Sequence, residues 1–175
     1  MTATEVIFMK EVLYTDTMAL TTQRLTLGGA FLSVGSPTPN VMTIGWGSIG
    51  FFWNRPVFLA VVRPSRHTHD ILLQTGCFTV SVPTARDLKA ELAFAGTASG
   101  RDVDKFSGHG LTAVPAQKVA APIVKECGLH FECQVHLVQA MTEDRMSPAV
   151  LRAAYPHGDL HTMFFGEILA CYETD

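Results

Sequence analysis

Alternating apolar and polar positions run through most of this chain, and they predict strands rather than helices. Several stretches are rich in β-branched and aromatic residues and are bounded by glycine or proline. The short predicted strands are residues 30–34, 41–49, 57–62 and 78–82, and the long ones are 129–140 and 160–172. Residues 6–12 alternate loosely, so we expect residues 1–27 to form an N-terminal arm or an edge strand.

Helical spacing of apolar residues is limited to short stretches between these strands. Residues 66–75 carry Ile71 and Leu72 and are followed by Gly76, a residue type that commonly ends a helix. Residues 85–95 form a second predicted helix, and residues 101–106 predict one further turn. Six or seven strands with few helices favour a closed or nearly closed antiparallel barrel over a doubly wound sheet. We therefore predict a fold that is mainly β, with short α excursions.

The composition predicts one domain over residues 1–175, with enough apolar residues (47%) to bury a sizeable core. Only 17% of residues are charged, and the resulting apolar surface hints at an oligomer interface. The net charge of −3 argues against broad binding to nucleic acid or anionic membranes. The chain has neither an apolar run of about 18 residues nor a basic signal-peptide start, so we expect a cytoplasmic protein without a membrane segment.

Four cysteines are scattered along the chain without a Cys-x-x-Cys pair, and we expect buried free thiols rather than disulfides. Two of them, Cys127 and Cys133, have a spacing with His130 and His136 that resembles a zinc tetrad. In a strand, however, these cysteines and histidines point to opposite faces, so four ligands cannot converge on one metal ion. We expect no metal site.

An anion-binding pattern follows the predicted strand 57–62. The chain continues through Arg63-Pro64-Ser65-Arg66 into a predicted helix, with Ser65 as the candidate N-cap and Thr68 in the first turn. Free backbone N–H groups at a helix start attract an anion, and two guanidiniums beside them add charge and bidentate donors. This pattern predicts a phosphate site, although a capped surface helix with solvated arginines has the same signature.

A second pattern, in residues 40–48, favours the approach of a flat ring. Strict alternation places Thr43 on one face with two glycines, where the lack of bulky side chains lets a ring lie close to the backbone. Trp46 lies on the other face, and we expect it in the core or in an interface. A phosphate site and a ring site together suggest a nucleotide or a flavin.

Other segments leave more than one interpretation open. The loop 96–106 offers Ser99, Arg101 and backbone N–H groups to a second anion or a ring edge, but it is equally an ordinary connection. His161 stands in a predicted strand, where a structural role is the simpler interpretation. The glycine pairs at 28–29 and 45–47 lack the spacing of a P-loop or a dinucleotide-binding loop, which disfavours those two classes of protein.

These segments occur together in one known family. The chain resembles the flavin reductase-like, FMN-binding split-barrel family, flavoredoxin type. The matching segments, in family order, are residues 40–46, 63–68, 96–106, 110–112 and 160–168. The resemblance runs from about residue 28 to the C-terminus, and it implies a homodimeric split β-barrel with one noncovalent FMN per subunit at the dimer interface.

The resemblance also implies roles for individual residues. The strand 40–46 would lie along the isoalloxazine, with Thr43 at its polar edge, and the loop 99–101 would close over the cofactor, in one arrangement from the partner subunit. The residues implied to bind FMN are Asn40, Met42, Thr43, Ile44, Trp46, Arg63, Ser65, Arg66, Thr68, Ser99, Gly100, Arg101 and His161. The family often has tyrosine near His67 and His69, and residues 141–158 form an insertion relative to its shortest members.

The resulting hypothesis is an FMN-binding redox protein, either a flavin reductase or a flavoredoxin-like electron carrier. The flavin supplies the redox chemistry while the protein binds and orients it, so no protein acid or base is required. The electron donor is NADH, NADPH or a partner protein. The alternative is a binding module that holds a flavin or another planar phosphate ligand without turnover.

Overall fold

The computed structural model describes residues 8–35 and 37–175, and most of their elements are strands. The strands are β1 (Met9–Glu11), β2 (Ala30–Val34), β3 (Asn40–Ile44), β4 (Gly47–Phe52), β5 (Arg55–Val62), β6 (Cys77–Val82), β7 (Ala113–Val114), β8 (Ile123–Val124), β9 (Leu129–Ala140) and β10 (Thr162–Thr174). The helices are α1 (Tyr14–Leu27), α2 (His67–Thr75), α3 (Lys89–Thr97) and α4 (Pro148–Ala154), with a 3₁₀ turn at Glu143–Arg145. None of the helices in these ranges has the length and apolar character needed to cross a membrane.

One antiparallel sheet of eight strands forms the body of the described chain. Seven strands follow the order β3-β2-β6-β9-β10-β5-β4, and β1 pairs with the last residues of β10. The two end strands, β3 and β4, are consecutive in sequence and are joined by only Gly45 and Trp46. This short link brings the two ends of the sheet together, so the sheet curls into a nearly closed barrel.

Apolar side chains fill the barrel, and α3 covers a second apolar layer outside it. Leu32, Phe58 and Phe131 belong to the interior cluster. Phe31, next to Leu32 on β2, points the other way and packs with Leu92 of α3. Strand β2 is therefore buried on both faces.

Strand β10 has a register shift at a position where its residues face the barrel interior. Its register with β9 shifts between Phe165 and Gly166. A Cβ added to Gly166 would lie 2.6 Å from the Phe78 ring and 2.8 Å from Cβ of Cys133. Packing, rather than backbone conformation, therefore requires a glycine here.

Two of the predicted strand regions differ in the structure. The stretch 41–49 is two strands, because the chain leaves β3 after Ile44 and enters β4 at Gly47. Residues 9–11 do form an edge strand, but helix α1 occupies 14–27 in place of an arm; residues 1–7 lie outside the described ranges. The buried residues of α1 are Thr17, Thr21 and Leu25, and two polar residues on this inner face hide the helical period.

The helices of the structure also differ from the predicted ones. The second predicted helix begins at Lys89 rather than near residue 85, and residues 101–106 form turns instead of a helical turn. Helix α4 and the hairpin of β7 and β8 have no counterpart in the sequence prediction. These elements are short, so they offer too few residues for a periodic pattern.

Candidate cofactor site

Two pockets lie along strand β3. The first, here called the anion pocket, has a volume of about 180 Å³ and is lined by Asn40, Ser65, Arg66, His67, Thr68, Thr97, Ala98, Ser99, Gly100 and Lys105. The second, here called the ring pocket, has about 230 Å³ and is lined by Met42, Thr43, Ile44, Gly45, Trp46, Val61, Arg63 and His161. Since β3 contributes Asn40 to one pocket and residues 42–44 to the other, one extended ligand lying along this strand would reach both.

Two cations meet at the wall of the anion pocket. Arg66 donates through Nη1 to the carbonyl of Gly96 (2.7 Å) and through Nη2 to that of Ala95 (3.3 Å). Lys105, only 3% exposed, donates from Nζ to the same Ala95 carbonyl (2.9 Å). The last carbonyls of α3 lack helical partners, which explains why they attract both cations.

Burial of these two cations changes their protonation equilibria. Burial lowers the pKa of Arg66. Burial and, to a smaller extent, the charge of Arg66 lower the pKa of Lys105 from its ordinary 10.5 to about 8. A bound anion would stabilise both positive charges, so the electrostatics of this pocket suit a phosphate group.

The start of α2 supplies backbone donors to the same pocket. The N-cap residue is Arg66 and has no side-chain cap, so the prediction of Ser65 as N-cap is wrong. Ser65 instead donates from Oγ to Oδ2 of Asp159 (2.6 Å), and its backbone N–H donates to Oδ1 (3.2 Å). Thr68 is buried in the first turn of α2, where its hydroxyl accepts from Nδ2 of Asn40 (2.8 Å).

An imidazole nitrogen at the anion pocket has no partner. Nδ1 of His67 is buried and makes no hydrogen bond within the described part of the chain. A buried polar atom without a partner is costly, and a ligand oxygen would satisfy it. The residues present therefore fit a phosphate group.

The loop 98–101 closes the outer side of the anion pocket. Arg101 donates from Nη1 to the carbonyl of Ser65 (3.2 Å) and pairs through Nη2 with Asp70 (2.7 Å). Gly100 lies so close to Asn40 that a Cβ would overlap its side chain. The loop therefore packs on α2 of its own chain, and a contribution from a partner subunit stays a prediction.

Arg63 lies away from the anion pocket. Its guanidinium donates to the carbonyls of Asp159 (2.9 Å) and Ala154 (3.2 Å), and its Cζ lies 5.0 Å from the Tyr155 ring centroid. Arg63 therefore satisfies carbonyls at the end of α4, which have no helical partners. The expectation that Arg63 and Arg66 flank one phosphate is not met, and Lys105 takes the second place beside Arg66.

The side chains at the ring pocket do not follow the strand alternation expected for residues 40–48. Thr43 turns toward α3 and donates from Oγ1 to the carbonyl of Leu92 (2.6 Å). Trp46 is 49% exposed, and its ring centroid lies 4.9 Å from that of His161. Because β3 ends at Ile44, alternation does not extend to Trp46. Of the two positions predicted for this residue, the core is wrong, and an interface stays a prediction.

The insertion 141–158 packs beside the ring pocket, because Tyr155 contacts the lining residues Trp46 and His161. Ser147 caps α4 by accepting from the N–H of Val150 (3.4 Å), and Pro148 begins the helix. The helix leads to Tyr155, whose hydroxyl lies 2.8 Å from Nδ1 of His161. Burial and the charge of Arg63 lower the pKa of His161 to about 4, so this imidazole is neutral at pH 7.

Sequence reasoning missed Lys105, which lines the anion pocket, and Tyr155, which contacts His161 beside the ring pocket. Lys105 lies in a polar loop, and a lysine in such a loop gives no sign that it will be buried. Tyr155 lies in the insertion, whose contacts depend on how α4 folds back on the body. The aspartate and phenylalanine beside Lys105 belong to a segment that matches the family resemblance, which was the available signal for the lysine.

Sequence comparison gives a family and distant relatives. The model of the flavin reductase like domain matches residues 22–175. An uncharacterized protein of Archaeoglobus fulgidus is 34% identical over 135 residues, which cover 77% of this chain and 66% of that protein. The chain thus spans slightly less than two thirds of the length of this curated relative.

Solved structures share the fold. Flavoredoxin of Desulfovibrio vulgaris (Miyazaki F) is 26% identical with a TM-score of 0.65, covering 84% of this chain and 69% of its own. An FMN-binding protein from Thermus thermophilus with bound 1-cyclohex-2-enone is 24% identical, with a TM-score of 0.65 and coverage of 83% and 69%. A Streptomyces globisporus NADH:FAD oxidoreductase in complex with NAD and FAD fragments is 24% identical, with a TM-score of 0.62 and coverage of 85% and 77%.

These likenesses agree with the architecture described above. The prediction of a mainly β, split-barrel fold is confirmed by the sheet and by its structural neighbours. The family model extends over most of the described chain. The chain belongs to the flavin reductase-like domain family.

Proposed function

We propose that the chain binds FMN along β3, with its phosphate in the anion pocket and its isoalloxazine in the ring pocket. The observation that carries this proposal is the meeting of Arg66, Lys105 and the uncapped start of α2 at one end of β3. FMN is favoured over FAD because it ends in a single phosphate. The hydrogen bonds of Arg101 to Ser65 and Asp70 narrow the outer side of the pocket, where the second phosphate of FAD would continue.

The residues predicted to bind FMN fall into groups that would contact different parts of the cofactor. Asn40, Arg66, Thr68, Ser99 and Gly100, with Lys105 added, would surround the phosphate. Residues 42–44, Trp46 and His161 would line the ring, and Arg63, Ser65 and Arg101 would hold the surrounding loops in place.

A bound flavin supplies the redox chemistry of such a protein. The chain's own residues bind and orient it. The pair Trp46 and His161 gives the ring pocket an aromatic wall, and the neutral imidazole places no positive charge on that wall at pH 7. Lys105 and Arg66 hold the opposite end of the ligand by charge.

We propose a flavin reductase or an electron carrier, with NADH, NADPH or a partner protein as the donor. The test is anaerobic mixing of the FMN-loaded protein with NADH and with NADPH. Rapid bleaching of the flavin by either nucleotide supports a reductase. Bleaching by dithionite alone supports a carrier that needs a protein donor, and a colourless protein that takes up no FMN contradicts both.

A homodimer is part of the proposal, and the tip of the β4–β5 hairpin is the candidate contact. Trp53 is 53% exposed, and its ring lies 5.8 Å from that of Phe52 and 6.1 Å from that of Phe165. Clustered exposed aromatic side chains are typical of protein interfaces. We also propose a cytoplasmic location, in line with the four free, buried thiols.

The oligomeric state tests this contact directly. In light scattering at micromolar concentration, we expect a dimer for the unchanged protein and a shift toward monomer for Trp53→Ser. Leu73→Ser is the matched control, since Leu73 is similarly exposed (54%) but lies on α2. A monomer for the unchanged protein, or equal effects of both variants, contradicts the proposed interface.

A further inference from the structure

The hydroxyl of Tyr155 lies near two possible hydrogen-bond acceptors of unequal strength. It lies 2.8 Å from Nδ1 of His161 and 3.5 Å from the sulfur of Met141. A thioether is a weak acceptor, whereas the unprotonated nitrogen of a neutral imidazole is a good one. The hydroxyl proton is therefore directed to His161.

The surroundings of Tyr155 hold its ring in place. The side chain is 7% exposed, and the guanidinium of Arg63 lies over the ring. Arg63 is itself held by carbonyls on both sides of Tyr155, those of Ala154 and Asp159. Trp46 meets the ring edge-on at 6.2 Å, so the phenol is enclosed on the side of the ring pocket as well.

We propose that Tyr155 is a positioning residue that fixes His161 in one neutral tautomer, leaving its Nε2–H as a donor in the ring pocket. Because Nδ1 accepts from Tyr155, the imidazole proton is on Nε2. Such a donor suits the carbonyl oxygen of a planar, uncharged ligand. The assignment of the ligand rests on the proposed function, but the tautomer of His161 does not.

The charges around His161 agree with a neutral ring. Arg63 opposes its protonation, and Asp159 favours it more weakly. Burial and, to a smaller extent, Arg63 outweigh Asp159 and lower the pKa of His161 to about 4. A hydrogen bond donated to the neutral nitrogen lowers the pKa in the same direction.

Nitrogen-15 NMR of the imidazole groups tests the proposal on the intact protein. The His161 signals are those lost in His161→Gln. At pH 7 we expect Nδ1 of His161 to have the shift of an unprotonated acceptor. In Tyr155→Phe this shift should move toward the protonated value, and the titration midpoint of His161 should rise. Tyr172→Phe, which removes a buried hydroxyl bonded to Glu132 instead, is the matched control and should change neither.

A second variant keeps the test decisive if Tyr155→Phe does not fold. Met141→Leu retains Tyr155, and we expect it to leave the His161 tautomer unchanged. A protonated Nδ1 in the unchanged protein, an unaltered or lower midpoint in folded Tyr155→Phe, or a tautomer change in Met141→Leu would overturn the proposal. None of these measurements depends on flavin reduction, so failure of the proposed function is distinguished from failure of this inference.

Discussion

At the scale of single residues, the chemistry of the candidate site depends on partners that sequence spacing does not reveal. Arg66 and Thr68 lie at the anion pocket as the sequence suggests. Arg63, three residues before the N-cap of α2, has a similar sequence signature but binds the end of α4. Lys105 gives no sequence signal of its own, because its burial results from how the loop folds against α3.

Replacement of Lys105 tests the anion pocket. Since a charge-assisted hydrogen bond contributes about 1.5–3 kcal/mol, we expect Lys105→Met to weaken FMN about ten- to a hundredfold. Riboflavin, which lacks the phosphate, should lose little affinity, and fluorescence titration of both ligands measures the ratio. Lys89→Met, on the exposed start of α3, is the control. An unchanged ratio of FMN to riboflavin affinity would remove Lys105 from the phosphate site.

The lowered pKa of Lys105 also predicts how pH affects binding. FMN affinity should fall as pH rises above about 8, because the free protein loses the Lys105 proton there. The unfolded chain keeps this proton up to its ordinary pKa of 10.5, so the contribution of Lys105 to the unfolding free energy should rise over the same range. Titrations at several pH values check the first effect, and a pH-independent affinity would contradict it.

At the scale of elements, strands were predicted better than helices. The long strand β9 has the predicted bounds, because apolar and polar residues alternate regularly from Leu129 to Leu137. Helix α1 was missed because its buried face carries Thr17 and Thr21. The break between β3 and β4 was missed because a two-residue link leaves the apolar pattern uninterrupted.

Gly166 tests the packing of β10. We expect Gly166→Ala to lower the unfolding free energy by about 1–3 kcal/mol, since its Cβ would overlap Phe78 and Cys133. Urea denaturation measures the change. Gly45→Ala is the control, because the nearest atom to a Cβ there, the carbonyl oxygen of Leu25, is 3.7 Å away. Equal stability of the two variants would show that the barrel adjusts to the added methyl group.

At the scale of the whole molecule, the fold buries a neutral histidine on the outer face of the barrel wall, opposite the interior residues Leu129 and Phe131. His130 is fully buried on β9, with Ser81 on Nδ1 and the Cys127 carbonyl near Nε2, each at 3.0 Å. Burial lowers its pKa to about 4. Its contribution to stability is therefore complete above pH 6.5 and is lost as pH falls toward 4, because only the unfolded chain takes up the proton.

Acid denaturation tests this contribution. Between pH 6.5 and 4 we expect the unfolding free energy to fall, with His130 responsible for up to about 1.4 kcal/mol per pH unit. His130→Gln should reduce the slope of stability against pH, whatever its effect on stability at pH 7. His157→Gln, in an exposed loop, is the control. An unchanged slope in His130→Gln would mean that folding does not lower the pKa of His130.

The fold as a whole follows from the sequence more readily than the assembly does. Regular alternation and the motif order together predict a mainly β split barrel. The proposed dimer contact uses exposed side chains such as Trp53 and Phe52, and the sequence pattern does not distinguish these from core aromatic residues. An interface can therefore be proposed only from the exposure of these side chains in the folded chain.

The carboxylate of Asp159 accepts from both hydrogen-bond donors of Ser65, and Asp159 itself has a left-handed backbone (φ 56°). An anion that engaged Ser65 directly would compete with this carboxylate and free a segment that ends in His161, two residues further on. Ligands in the two pockets would then be thermodynamically coupled. By reciprocity, the factor by which the first changes the affinity of the second equals the factor for the reverse.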